Sequence, residues 1–249
     1  ISTCITCWTC GLSAWCDRSN EGGTGDTGKY FRLRTSVLGD IVNGEAVYVK
    51  APSFEYVDPG YSAYKTSNAS RTPMVYVGAN DGMLHAFNAG ASADGGGAEV
   101  WAYVPQTLLP NLYKLADKYY STSHQYYVDG SPTQADAYFA GAWHTILVGG
   151  FNAGGRGYYA LDVTLPGSPK ALWEISNATT GFSNLGYSFG RPEITKLKDG
   201  TWVVLLTSGY NNDVSPGDGQ GYLYVVNAAT GALIRSIGTG VGSTAAVEG

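Results

Sequence analysis

Residues 74–88 read MVYVGANDGMLHAFN, and this stretch decides the fold. Two apolar, β-branched or aromatic runs flank Asn80-Asp81-Gly82. Asp-Gly between such runs is a strong short-range hairpin signal, because glycine takes the positive φ that the tight turn needs. A third run, EVWAYV at 99–104, follows. The same order returns at 145–162 (TILVGGFNAGGRGYYALD) with ALWEI at 171–175, and at 202–227 (WVVLLTSGYNNDVSPGDGQGYLYVVN) with ALIRSI at 232–237. In each unit the second strand carries apolar residues (Leu84, Ala86, Phe87; Tyr159, Leu161; Leu223, Val225) and closes on Asn88, Asp162 or Asn227. The last strand brings Trp101, Trp173 or Leu233. A candidate inner strand precedes each unit, at 41–49, 130–137 and 190–196. Four strands per repeat predict an all-β, partial β-propeller of about three four-stranded blades. A Greek-key sandwich is the alternative, and it leaves the repetition unexplained.

Composition agrees. Of 249 residues 35 are glycine, twice the usual share of about 7%. Charged residues are 14% and aromatics 13%, with Tyr the commonest aromatic. The 44% hydrophobic content is enough for a core and argues against general disorder. Glycine without a three-residue period excludes collagen. A net charge of −5 with 15 Lys and Arg shows no basic stripe for nucleic acid. No apolar run approaches the ~18 residues of a transmembrane helix. The opening Ile1-Ser2-Thr3-Cys4 lacks the basic and apolar regions of a signal peptide, which suggests a mature or truncated chain.

Two details refine the blades. Gly130-Ser131-Pro132 and Gly190-Arg191-Pro192 put proline at the start of an inner strand, where a missing N–H costs no ladder bond. Residues 105–120 (PQTLLPNLYKLADKYY) break the β pattern, and Leu108, Leu112 and Leu115 recur at helical spacing. They predict a short helix inserted between blades. Closed propellers typically use four to eight blades, so three make an open arc with exposed edges. Completion by further copies, as a homo-oligomer or self-assembling filament, is one outcome.

All four cysteines, Cys4, Cys7, Cys10 and Cys16, lie in a Cys-rich head, and a Gly-rich linker ends it near residue 30. The division is thus 1–30 for head and linker and 31–249 for the blades. Two local disulfides in an oxidising compartment suit an even, clustered set. The C-x2-C-x2-C spacing leaves zinc or iron–sulfur ligation open.

Among chemistry-bearing residues, Asn211, Asp213, Ser215 and Asp218 place oxygen donors in a turning loop, the first three at alternate positions. That pattern can aim donors at one hard cation, which makes Ca2+ the candidate cofactor, but the loop also lacks the closing bidentate Glu of an EF-hand and reads first as a polar hairpin loop that uses Asn and Asp for turn geometry. His85, His124 and His144 are scattered and read as structural. Neither Gly-x-Ser-x-Gly nor His-Glu-x-x-His occurs, so hydrolase and zincin readings lack support. Residues 149–157 (GGFNAGGRG) lack the Gly-Lys-Ser/Thr ending of a phosphate loop and read as a blade turn. The pairs Tyr119-Tyr120, Tyr126-Tyr127 and Tyr158-Tyr159 offer contact area for a partner if exposed, but strand alternation turns about half of them inward.

Several segments together resemble PilY-type proteins, which are type IV pilus tip-associated and pilus-biogenesis proteins. They are Leu38-Gly-Asp-Ile-Val-Asn43 with Val47-Tyr48-Val49, residues 71–87 (RTPMVYVGANDGMLHAF), Trp101-Ala-Tyr-Val-Pro105, Leu109-Pro-Asn-Leu-Tyr113 and Tyr127-Val-Asp-Gly130. The likeness continues through Gly154-Gly-Arg-Gly157, Tyr159-Ala-Leu-Asp162, Gly186-Tyr-Ser-Phe-Gly190 and Ser208-Gly-Tyr-Asn211. The resemblance implies an extracellular, cell-surface protein whose modified β-propeller serves pilus assembly, retraction balance and adhesion. It implies minor pilins or host and surface ligands as partners, and calcium in some members. The family propeller is longer than this stretch, and the cysteine head has no counterpart in the resemblance. The repeats also look like those of quinone-cofactor (PQQ-type) propeller dehydrogenases. The body has no cysteine for the adjacent-cysteine disulfide of many such sites, so a non-catalytic protein is expected.

Overall fold

The computed structural model describes residues 31–32, 36–213 and 216–242. Among them, twelve strands build three separate antiparallel sheets. The first holds β1 (Val47–Val49), β2 (Met74–Ala79), β3 (Met83–Asn88) and β4 (Glu99–Tyr103). The second holds β5 (Thr133–Phe139), β6 (Ala142–Gly150), β7 (Gly157–Asp162) and β8 (Lys170–Ser176). The third holds β9 (Glu193–Lys196), β10 (Trp202–Thr207), β11 (Gln220–Asn227) and β12 (Leu233–Gly242). Each sheet is a plain meander in chain order, so the Greek-key alternative fails. Strand β5 lies beside both β1 and β9, which places the first strand of each blade innermost.

Strand alternation explains why the blades stack. In the middle blade, Ile146, Val148, Tyr158 and Ala160 face the third blade's Ile194, Val204, Leu206, Tyr224 and Val226. The intervening residues Leu147, Tyr159 and Leu161 face the first blade's Met74, Tyr76, Leu84 and Ala86. The middle blade therefore buries both faces, and its strands read as continuous apolar runs. Fully burying a Leu, Val or aromatic side chain contributes about 1.5–3 kcal/mol.

Each outer strand carries a bulge at the same place: the register shifts at Ala86/Phe87, Ala160/Leu161 and Val225/Val226. A bulge adds an unpaired residue and sharpens the local twist. Here it sets Trp101 opposite Ala86 and Trp173 opposite Ala160. The indoles donate to the next blade, Trp101 to the Pro166 carbonyl at 2.7 Å and Trp173 to the Ala228 carbonyl at 2.9 Å. In the third blade that register position is Arg235, opposite Val225. Leu233, expected as the counterpart of the tryptophans, instead corresponds to Glu99 and Ala171.

Three expectations need correction. The first inner strand covers only Val47–Val49, because residues 39–45 are held as a strap by side chains of neighbouring turns. The other two inner strands begin at Thr133 and Glu193, just past their prolines. Finally, the insert is a 3-10 helix, Gln106–Ala116, not an α-helix. Pro110 inside it has no N–H to give to an α-helical ladder, and Glu174 of β8 seizes its first turn. Glu174 Oε1 accepts from Tyr103 Oη at 2.5 Å and the Gln106 N–H at 2.8 Å, and Oε2 accepts from the Thr107 N–H at 3.0 Å and Thr107 Oγ1 at 2.9 Å. Leu108 and Leu115 of the insert are buried as the spacing required.

One element had no signal in the hydrophobic pattern. Between β1 and β2 the chain leaves its own blade and forms helix α1 (Tyr61–Ser67). Tyr61 is buried in the core between the second and third blades. Tyr56 stacks on Trp143 at 5.6 Å and meets Trp202 edge-on at 5.1 Å, while Trp143 Nε1 donates to the Pro59 carbonyl at 3.1 Å. Lys196 of β9 pairs with Asp58. The first blade thus braces the junction of the other two. Among the described residues, no helix is long and apolar enough to cross a membrane.

Candidate functional site

In a meander the second turn of each blade and the segment leading into its first strand share one end of the sheet. At that end the three turns begin alike: Gly78-Ala79-Asn80, Gly150-Phe151-Asn152 and Gly209-Tyr210-Asn211. The glycines allow backbone to cross backbone. A Cβ on Gly78 would overlap the Val128 carbonyl, and one on Gly150 would stand 2.7 Å from the Ser188 carbonyl oxygen. The amides then hook the lead-in segments. Asn80 Oδ1 accepts from the Tyr127 N–H at 3.0 Å, and Asn152 Nδ2 donates to the Asp129 carbonyl at 2.8 Å. In the third blade the hook is Asn212, which donates to the carbonyls of Asn184 at 3.0 Å and Gln220 at 2.6 Å.

Buried carboxylates fasten the strap before β1 at the same end. Asp81 Oδ2 accepts from the Gly39 N–H at 2.8 Å. Asp129 accepts from the Asn43 N–H at 3.1 Å and from Asn43 Nδ2 at 2.6 Å. Asp40 Oδ2 accepts from Asn80 Nδ2 at 2.9 Å and lies 2.9 Å from His124 Nε2. Burial alone would raise the Asp40 carboxyl, yet these two partners hold it below its ordinary range. His85 bridges Asp81, at 3.1 Å from Nε2, and Glu99, at 2.7 Å from Nδ1. Burial would lower the His85 pKa, but the two carboxylates outweigh it and raise it. His144 Nδ1 sits 2.8 Å from Asp162, whose carboxyl is lowered because bonds from His144 and Thr164 outweigh burial. Asn80-Asp81-Gly82 is the expected turn, with Gly82 at φ 93°, and its Asp81 is also an anchor.

Where strap and lead-in segments meet, a polar cavity of about 230 Å³ opens. Its wall includes Glu45, Ser131 and Arg191, the residues that follow the glycine of each lead-in, together with Asn152, Ser188 and Phe189. Ser131 Oγ accepts from the Glu45 N–H at 2.9 Å. Arg191 Nε donates to Thr133 Oγ1 at 3.2 Å, and its Nη1 stands 3.9 Å from Glu45 Oε2. None of these residues was singled out in the sequence as a site. The signal that could have found them is the repeated Asn-Gly, Asp-Gly and Phe-Gly before each inner strand.

The expected cation loop lies at the same end. Asn211, at φ 55°, and Asp213 are exposed, and Ser215 falls outside the described residues. Asp218 turns inward. Its Oδ2 accepts from Tyr222 Oη at 2.6 Å and Asn184 Nδ2 at 3.3 Å, and its Oδ1 accepts from the Gln220 N–H at 2.9 Å. Burial would raise this carboxyl, and those bonds lower it. Among the described residues, no three His, Cys, Asp or Glu side chains gather as a metal cluster. Cys4, Cys7, Cys10 and Cys16 lie outside the described residues. Of the tyrosine pairs, Tyr119 and Tyr126 are exposed while Tyr120 and Tyr127 are buried. Tyr158 and Tyr159 are both buried, because both faces of the middle blade are covered.

A family model described as the PilY1 beta-propeller domain matches residues 38–248, from the strap onward. The chain belongs to the PilY1 β-propeller family. Type IV pilus biogenesis factor PilY1 of Pseudomonas aeruginosa strain PAK is 42% identical over 231 residues, 89% of this chain and 18% of that protein. A PilY1 homolog of Xylella fastidiosa strain Temecula1 is 41% identical over 223 residues, 86% of this chain and 17% of that one. The crystal structure of the Pseudomonas aeruginosa PilY1 C-terminal domain superposes with a TM-score of 0.61 at 37% identity, covering 78% of this chain and 38% of that one. This PilY1-family chain thus spans less than a fifth of the length of these curated relatives. The blades, the strap and the three hooked turns are its version of that propeller.

Proposed function

We propose that this chain is part of a non-catalytic, extracellular, type IV pilus-associated protein that serves pilus biogenesis and attachment to surfaces. The observation that carries the reading is the 42% identity over 231 residues to a protein named a type IV pilus biogenesis factor. The non-catalytic part is supported by that printed name, a biogenesis factor, which states no reaction. Minor pilins or surface ligands are the partners in this reading, and the end bearing the strap, cavity and turn loops is the face that meets them. The test replaces the matching segment of Pseudomonas aeruginosa PilY1 by residues 38–248. Twitching motility and surface pili return if the reading holds. A chimera present at the parental level without pili overturns it.

Calcium modulation through the 211–218 loop belongs to the same proposal. It is supported by the oxygen donors of Asn211, Asp213, Ser215 and Asp218 in one short loop. Isothermal titration detects binding that disappears in Asp213→Ala. Absence of heat at millimolar calcium overturns it.

A further inference from the structure

We infer that the polar cavity between the strap and the lead-in segments binds a hydroxyl-rich, uncharged ligand of monosaccharide size. The volume, about 230 Å³, corresponds to nearly eight waters at about 30 Å³ each, which is room for one six-membered ring. The wall is polar and contains glycine backbone, so an apolar ligand finds no match there. A hydroxyl both donates and accepts, so its site needs both functions side by side. Glu45 and Arg191 supply them. Their atoms lie 3.9 Å apart with side chains 77% and 62% exposed, too far for a hydrogen bond and worth little as an ion pair. The guanidinium fork and the carboxylate therefore remain available to adjacent hydroxyls. Asn152 and Ser188 also line the wall, but their side chains are held within the protein, Asn152 Nδ2 by the Asp129 carbonyl and Ser188 Oγ by the Phe151 N–H and the Gly155 carbonyl, so they shape the cavity.

The sugar-like character also requires a surface for the C–H face of the ring. Phe189 provides it. It lines the cavity, is 44% exposed, and its ring lies 5.3 Å from that of Tyr210, itself 41% exposed. Two exposed aromatic rings beside a polar cavity form a shelf and a socket. The single cation and the single carboxylate cancel, which favours a neutral ligand over an anion. The inference goes beyond the pilus reading and does not depend on it.

The experiment is saturation-transfer NMR on the full chain with glucose, galactose, mannose and N-acetylglucosamine at millimolar concentration. Transfer to at least one sugar is expected. In Arg191→Ala, binding weakens at least tenfold through loss of charge-assisted hydrogen bonds. Phe189→Leu keeps the polar contacts and weakens the transfer to the C–H protons. Both residues are surface-exposed, so each variant keeps the parental melting temperature, and Glu45→Gln is a third variant of the same kind. No transfer from any sugar overturns the inference. So does transfer that is unchanged in all three variants, which would place the sugar elsewhere, and so does binding of inorganic phosphate or acetate in place of the sugars. Sugar binding together with a failed pilus chimera would leave this inference standing and remove the pilus reading alone.

Discussion

Tyr61→Phe isolates one hydrogen bond at the point where helix α1 enters its neighbours' core. Tyr61 and Asp136 are each 1% exposed, and Tyr61 Oη donates to Asp136 Oδ2 at 2.6 Å. The other oxygen, Oδ1, accepts from Thr145 Oγ1 at 2.5 Å. Burial and the bond to Asp136 both raise the Tyr61 pKa, so the hydroxyl keeps its proton and remains a donor into the alkaline range. Removing it leaves Oδ2 of a buried carboxylate without that donor while the ring still fills its space. A hydrogen bond to a charged group is worth about 1.5–3 kcal/mol. For a domain of this size that corresponds to a melting shift of roughly 4–10 °C. Urea unfolding of the parent, Tyr61→Phe, Asp136→Asn and the double variant measures the pair directly. The expected coupling is at least about 1 kcal/mol. Tyr61→Phe within about 0.5 kcal/mol of the parent, or strict additivity in the double variant, would refute the view that this bond anchors the helix. Tyr64→Phe is the comparison. Its hydroxyl shares Thr145 Oγ1 with Arg71 Nη1, both at 2.7 Å, so its loss leaves Thr145 a partner and costs less.

Gly78→Ala forces a Cβ into the Val128 carbonyl and costs about 1–3 kcal/mol or more; Gly167→Ala, where a Cβ meets nothing within 4 Å, stays within about 0.5 kcal/mol of the parent or gains slightly. Thermal melts of the two variants side by side check both. His85 contributes through a raised pKa, so its stabilisation is complete below the ordinary value of 6.5 and is lost as pH rises through the folded value. The stability gap between the parent and His85→Gln therefore shrinks as pH rises above 6.5, which denaturant titrations over a pH series read out. Asp40 and Asp162 run the other way: their contribution is present above 3.8 and fades as pH falls through their lowered values. Glu174→Ala frees the first turn of the insert, and amide exchange at Gln106 and Thr107 accelerates at least tenfold if Glu174 holds that turn.

Much of the fold was legible in the local pattern. The hairpin at Asp81-Gly82, and the apolar runs around it, needed only propensity and turn chemistry, whereas the β5–β6 turn at Ala140-Gly141 puts an alanine at φ 50° and carries no such signal. The site was less legible, because its groups come from different lead-in segments. Glu45, Ser131 and Arg191 are 86 and 60 positions apart along the chain, and nothing local marks them as neighbours. The cation loop shows the same limit. Alternate spacing picked out Asn211 and Asp213, which are exposed, whereas the inward amide is Asn212. Spacing assumes a regular backbone, and positive φ at Asn211 and Gly209 breaks that regularity.

The sequence by itself determined that this chain makes three similar four-stranded units, since short apolar β-forming runs and glycine turns are local signals. It also carried the family likeness across roughly residues 36–237. The tertiary structure alone decided which faces those units share. It showed the middle blade buried on both sides, helix α1 crossing from the first blade to brace the other two, and Arg235 standing where earlier blades carry a tryptophan. Those outcomes depend on contacts between residues far apart in the chain, and no local propensity encodes them. A buried carboxylate such as Asp136 or Asp81 reads in the sequence as a solvated charge. It becomes an anchor only when packing removes the water and supplies the donors.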